Sequence, residues 1–74
     1  MKTATIKLSS IEAVRNFVDV VRKYDCEIDL SSGRYLVDAK SIMGIFSLDL
    51  TKKIKLSANG TKEFFEEIRP FVVD

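Results

Sequence analysis

The sequence predicts an α+β fold in two layers, a four-stranded antiparallel sheet with two main helices and one short helix on one face. Three observations carry this. Apolar residues alternate with period two in four short runs, and they recur at helical spacing in three others. The two kinds of run follow one another as strand, helix, strand, strand, short helix, strand, helix. No linker, repeat or low-complexity stretch divides them, so residues 1–74 read as one domain.

The first strand spans residues 3–8, with Ala4, Ile6 and Leu8 on one face and Thr3, Thr5 and Lys7 on the other. Ser9-Ser10-Ile11-Glu12 has the spacing of a capping box, in which the Ser9 hydroxyl and the Glu12 carboxylate each satisfy a free amide. The helix that follows is expected to run to about Lys23. Ile11, Val14, Phe17, Val18 and Val21 form its buried stripe, and Arg22 and Lys23 suit its negative end. Residues 26–30 alternate again, placing Cys26 on the apolar side with Ile28 and Leu30 as a buried thiol. Ser31-Ser32-Gly33-Arg34 is a hairpin turn in which Gly33 can take positive φ. Tyr35, Val37 and Ala39 share one face of the third strand.

Ser41 heads a short helix and caps it. Ile42, Met43, Ile45, Phe46 and Leu48 are too many apolar residues to bury from so short an element. Ile45 and Leu48 are assigned to the core, and Ile42, Met43 and Phe46 to a contact surface. Lys53–Ala58 gives the fourth strand, with Ile54, Leu56 and Ala58 inward. Asn59-Gly60-Thr61 is a turn and cap. The last helix turns Phe64, Phe65, Ile68, Phe71 and Val72 toward the sheet, and Pro70 tightens its final turn.

Composition excludes several functions. Twelve basic and eleven acidic residues give a net charge of +1, with no total-charge bias toward nucleic acid or anionic membrane. The outward strand positions Thr3, Thr5, Glu27, Asp29, Leu36 and Asp38 are neutral or acidic, which also argues against a nucleic-acid-binding sheet. No stretch approaches the ~20 apolar residues of a membrane span, and Met1–Thr5 lacks the apolar run of a signal peptide. One cysteine permits no internal disulfide, so a cytoplasmic, reducing setting is expected. There is no histidine, which rules out a Cys–His pair and weakens any metal site. No glycine-rich phosphate loop is present, and no cofactor is expected.

Three stretches resemble the HPr family, the small phosphocarriers of the sugar phosphotransferase system. Lys23-Tyr24-Asp25 resembles that family's exit from its first helix. Lys40-Ser41-Ile42-Met43-Gly44 resembles the segment around its regulatory serine, and Ser47-Leu48-Asp49-Leu50 the run that follows. From Lys23 to Leu50 the match has no gap. Asp49 replaces a glycine there, and aspartate tolerates left-handed backbone better than most residues. The element order is also that of HPr.

The resemblance implies a phosphoacceptor histidine at the N-cap of the first helix, within a His-Ala-Arg-Pro type motif. An ungapped count puts Ser10 at that place, and a two-residue gap puts Glu12 there instead. A serine phosphate is too stable for fast relay, and a carboxylate there lacks its arginine partner. The expectation is therefore a non-enzymatic regulatory or docking protein of the HPr type, without histidine phosphorelay. Glu12 is read as a capping carboxylate, or as a fixed negative charge where a phosphohistidine would sit. Ser41 is read as a helix cap, or as a counterpart of the serine that HPr kinase phosphorylates. In that case Lys40 would add a cation beside the phosphate. The partners implied are HPr kinase, a catabolite regulator and Enzyme I-like proteins, met through Lys40, Ile42, Met43 and Phe46. Two alternatives stay open: a generic α+β binding module unrelated to sugar transport, and a carrier using a non-histidine acceptor such as Ser10.

Overall fold

The computed structural model describes Met1–Val73. Four strands, β1 (Lys2–Ile6), β2 (Ile28–Ser32), β3 (Tyr35–Asp38) and β4 (Ile54–Ala58), form one sheet in the order β1-β4-β2-β3, with every pair antiparallel. Helices α1 (Ile11–Val21), α2 (Ile42–Phe46) and α3 (Lys62–Glu67) connect or follow them, and a 3₁₀ turn at Arg69–Phe71 ends the helical part. β4 therefore inserts between β1 and β2, and β2 between β3 and β4. The two crossovers, through α1 and α2, interlock as a split βαβ arrangement.

Alternation within each strand builds the core. Ile6, Ile28, Leu30, Ile54, Leu56 and Ala58 turn to the helical side, where they meet Val14, Phe17, Val18 and Val21 of α1 and Ile45 of α2. Phe64 and Ile68 close the layer, and Phe17 stands edge-on to Phe71 with ring centroids 5.4 Å apart. No polar or charged residue is buried among the described residues. The core is held by apolar contact alone, and the other face of the sheet is open.

Several boundaries differ from the sequence reading. The first strand stops at Ile6, although Leu8 is buried as expected. The N-cap of α1 is Ser10, whose Oγ accepts from the Ala13 amide at 3.0 Å. Glu12 thereby becomes the second helical residue, one short of the position from which a carboxylate can reach back to the cap. Ile11, the first residue of α1, is 67% exposed where the expected stripe placed it inside. α1 ends at Val21 with Arg22 as its C-cap.

The second strand starts at Ile28, so Cys26 lies in the preceding bend, half-buried against the core. Strand pairing extends through Ser32↔Tyr35, leaving only Gly33 and Arg34 in the turn. Gly33 has φ +59 and Arg34 negative φ, the pattern of a type II′ turn, which matches strand twist. Tyr35 shares the inward side with Val37 and Ala39, but at the hairpin end it overhangs the layer and is exposed. Asp49 does not take left-handed backbone, since no non-glycine residue has positive φ among the described residues. It instead closes a local turn, with Oδ1 accepting from the Thr51 amide at 3.0 Å and the Thr51 hydroxyl at 2.6 Å.

The C-terminal segment does more than extend the last helix. The Val73 amide donates to the Thr5 carbonyl, the Lys7 amide donates to the Phe71 carbonyl, and Val72 bridges Ile6. The C-terminal end of β1 is thus paired on its outer side.

Candidate functional site

Two serine-capped helix starts are the places where the sequence put chemistry. At the first, Ser10 is exposed with extended backbone (φ −152, ψ 163), and its oxygen is occupied by the Ala13 amide. Glu12 is exposed and makes no side-chain hydrogen bond among the described residues. Neither position has a nitrogen nucleophile beside it. A groove next to this helix start is lined by Leu8, Ile11 and Leu50 together with Lys7, Ser9, Ser10 and Thr51. Its walls are mostly apolar, which suits a partner side chain.

At the second, Ser41 is exposed, and its Oγ accepts from the Gly44 amide at 3.1 Å. Its own amide donates to the Asp38 carbonyl at 3.0 Å, which fixes the entry angle of α2. Gly44 sits tightly here. A Cβ on it would come within 3.2 Å of both the Ser41 oxygen and Val37, so a small residue lets α2 lie close to β3. The Ser41 hydroxyl hydrogen has no acceptor among the described residues and faces solvent.

Lys40 does not stand beside that hydroxyl as a free cation. Its ammonium donates to the Tyr24 carbonyl at 2.5 Å, and its amide to Asp38 Oδ1 at 2.8 Å. Lys40 therefore ties the exit of α1 to the entry of α2. Tyr24 is held from the other side as well. Its hydroxyl donates to Glu67 Oε1, and its ring lies edge-on to Phe64 with centroids 5.1 Å apart. Lys23 reaches Glu67 Oε2 at 2.6 Å. The hydrogen bond to Glu67, with partial burial, pushes the Tyr24 phenol up to about 12. The bonds from Lys23 and Tyr24 hold the Glu67 carboxyl below its ordinary range.

The apolar residues of α2 divide as their positions require. Ile45 and Leu48 are buried, as expected. Met43 is 78% exposed and Phe46 42%, while Ile42 packs largely against the core and offers only part of its surface. α1 and α2 pack side by side. The exposed set is therefore Met43 and Phe46 on one helix and Ile11 at the start of the other, with the half-buried Leu50 in the groove beside Ile11. The sequence reading placed Ile11 on the buried stripe and named Leu50 only within the HPr-like run, so neither was assigned to the contact surface. Ile11 keeps helical spacing with Val14 and Val18, but as the first residue of α1 it is left exposed.

No group of metal-ligating side chains occurs among the described residues, and no helix of the described residues is long and apolar enough to cross a membrane.

Comparison with known proteins bears on residues 10–72, which match the profile of the family described as "PTS HPr component phosphorylation site". Among solved structures, the chain is similar to HPr-C-His from Thermoanaerobacter tengcongensis. The TM-score is 0.81 at 30% identity, covering 97% of this chain and 91% of that one. It is also similar to the phosphocarrier protein HPr from Bacillus anthracis str. Ames. There the TM-score is 0.72 at 25% identity, covering 97% of this chain and 94% of that one. No curated protein sequence matches.

Proposed function

The chain belongs to the HPr family of the phosphotransferase system, and from that premise we propose that it is a regulatory docking protein that does not relay phosphate through histidine. One observation carries the reading: no histidine occurs in the 74 residues. Relay needs a nitrogen whose phosphoramidate is labile enough to hand the group on. Ser10, at the N-cap of α1, would form a stable ester, and its oxygen already holds the Ala13 amide. Glu12 points from an exposed turn with no arginine bonded to it.

What such a chain retains is surface. Met43, Phe46 and the exposed part of Ile42 provide an apolar patch of the kind that protein partners cover. Lys40 supports the patch by tying α2 to the end of α1. Ser41 supplies the means of regulation. Its hydroxyl is exposed at the edge of the patch, and a phosphate there would add nearly two negative charges beside Met43. A kinase of the HPr-kinase type would write that mark, and a carbon-responsive repressor or an Enzyme I-like protein would read it.

The test is a pair of phosphorylation reactions read by intact mass. Charged Enzyme I with phosphoenolpyruvate should leave the chain unlabelled, while HPr kinase with ATP should add one phosphate that disappears in Ser41→Ala. Label from Enzyme I would restore a carrier role through a non-histidine acceptor. No label from the kinase would leave Ser41 as a helix cap only. Met43→Asp, on the exposed side of α2, should weaken kinase engagement at least about tenfold without altering the fold.

A further inference from the structure

The two edges of the sheet are treated differently. The C-terminal end of β1 is covered by Val72 and Val73, whereas β3 has no strand or bridge beside it among the described residues. The Ala39 amide donates to the Ile28 carbonyl across the hairpin at 2.9 Å. Antiparallel pairing alternates, so Val37 and Tyr35 also face β2, while the backbone groups of Leu36 point away from the sheet. An edge of this kind is a template for another strand.

The side chains on that edge are complementary to themselves. Leu36 and Asp38 lie on the open face, with Leu36 70% exposed. Arg34 is exposed at the turn, two residues before Leu36. Asp38 stands directly opposite Asp29, with no basic partner for either carboxylate among the described residues. Like charges so placed oppose strand pairing. A second copy laid antiparallel along β3, with Leu36 opposite Leu36, brings Arg34 of each copy, in the turn just before the strand, to the end of the other copy's β3 where Asp38 lies. Tyr35 and Val37 meet on the helical side, and the two Leu36 residues exchange both backbone bonds at the axis. Any other even register loses one or more of these matches, and odd registers put the two faces out of phase.

We propose that two copies of this chain associate through β3, antiparallel and centred on Leu36, to give one continuous eight-stranded sheet with Arg34–Asp38 pairs on its open face. The association is isologous and closes on itself. The contact is a single four-residue edge, smaller than a standard interface, so the association is weak, on the order of 100 µM. The association uses the backbone edge of β3 and needs neither a mark on Ser41 nor a partner protein, so this inference does not depend on the docking role proposed above.

Sedimentation velocity up to about 1 mM, with amide chemical shifts followed over the same range, tests it. The expected result is a monomer–dimer equilibrium with the largest shifts at Arg34, Leu36 and Asp38. Leu36→Lys should abolish it. Arg34→Glu and Asp38→Lys, each folded by circular dichroism, should each weaken self-association at least about tenfold. An equimolar mixture of the two should associate again, because every facing pair is then of opposite sign. A chain that stays monomeric at the highest concentration overturns the proposal. So does self-association that survives Leu36→Lys, or a mixture that stays monomeric while the wild-type chain dimerises.

Discussion

Ser41 and Ser10 hold their helices in the same way, each through one side-chain oxygen taken by the amide three residues on. Replacing either by alanine should cost roughly 1 kcal/mol in denaturant unfolding. Only Ser41→Ala should also remove the kinase-dependent phosphate. Tyr24 offers a second test at this scale. Its phenol titrates near 12 in the folded chain, above its ordinary value of 10.0, because Glu67 accepts its proton in a hydrogen bond. The stabilisation from this proton is complete below pH 10 and is lost as pH rises toward 12. Glu67 works in the opposite direction. Its folded value is depressed, so its contribution is present above the ordinary carboxyl range and is lost as pH falls through the folded value. Urea midpoints of the wild type and Tyr24→Phe should therefore converge between pH 10 and 12. A difference that stays constant across that interval would show that the hydroxyl does not carry the effect. Gly33→Ala is the backbone counterpart: a side chain at φ +59 has open space but the wrong conformation, and roughly 1–2 kcal/mol should be lost.

Elements were readable where burial enforces a period. The stripes of α1 and β4 and the alternation Ile28–Leu30 gave the element order and most of the core, because a one-residue slip would have turned each set to solvent. Where local signals competed, the reading moved by one or two residues. Ser9 and Ser10 are equally good caps in isolation, and the packing of Val14 and Phe17 chose Ser10. That choice removed Glu12 from the capping box. Cys26 fitted an alternating strand by type, yet pairing with β4 begins only at Ile28. The candidate surface was readable in part for the same reason. Five apolar residues near a short helix had to leave some exposed, and Met43 and Phe46 are the clearest. Nothing local revealed that the Lys40 ammonium would turn to Tyr24, sixteen residues away, because that contact exists only once α1 and α2 are docked. α3 gives a measurable consequence of this docking. Gly60 lies under the Phe64 ring, where a Cβ would come within 2.4 Å of a ring carbon. Phe64 is fully buried and also packs on Tyr24, so Gly60→Ala should cost about 1–3 kcal/mol by overpacking. A change below ~0.5 kcal/mol would mean that the turn, and not the ring, accommodates the methyl group.

At the scale of the whole molecule, the sheet has two edges and one of them is closed from within. A 74-residue chain buries only about 60% of its unfolded surface, so it has little material with which to cover an unpaired edge. Phe71–Val73 close the C-terminal end of β1 through the two backbone bonds of one antiparallel bridge, and the segment is carried there by the 3₁₀ turn at Arg69–Phe71. Val72 has φ −76 and ψ 135, a conformation that a following proline accepts. Val73→Pro therefore removes one donor, the amide that bonds to Thr5, without forcing the chain before it to bend. The loss of stability should be modest, about 0.5–1.5 kcal/mol. Protection should change locally: the Lys7 amide, bonded to Phe71, should exchange faster with solvent, while the β2–β4 ladder keeps its protection. Equal acceleration throughout the sheet would mean that the C-terminal segment is part of the global folding unit rather than a cover on one edge. If the cover is local, the variant exposes β1 beside an already open β3, and self-association should no longer stop at two copies. Sedimentation of Val73→Pro should then show species larger than the dimer, and Leu36→Lys in the same chain should block one of the two edges and limit growth to pairs through β1.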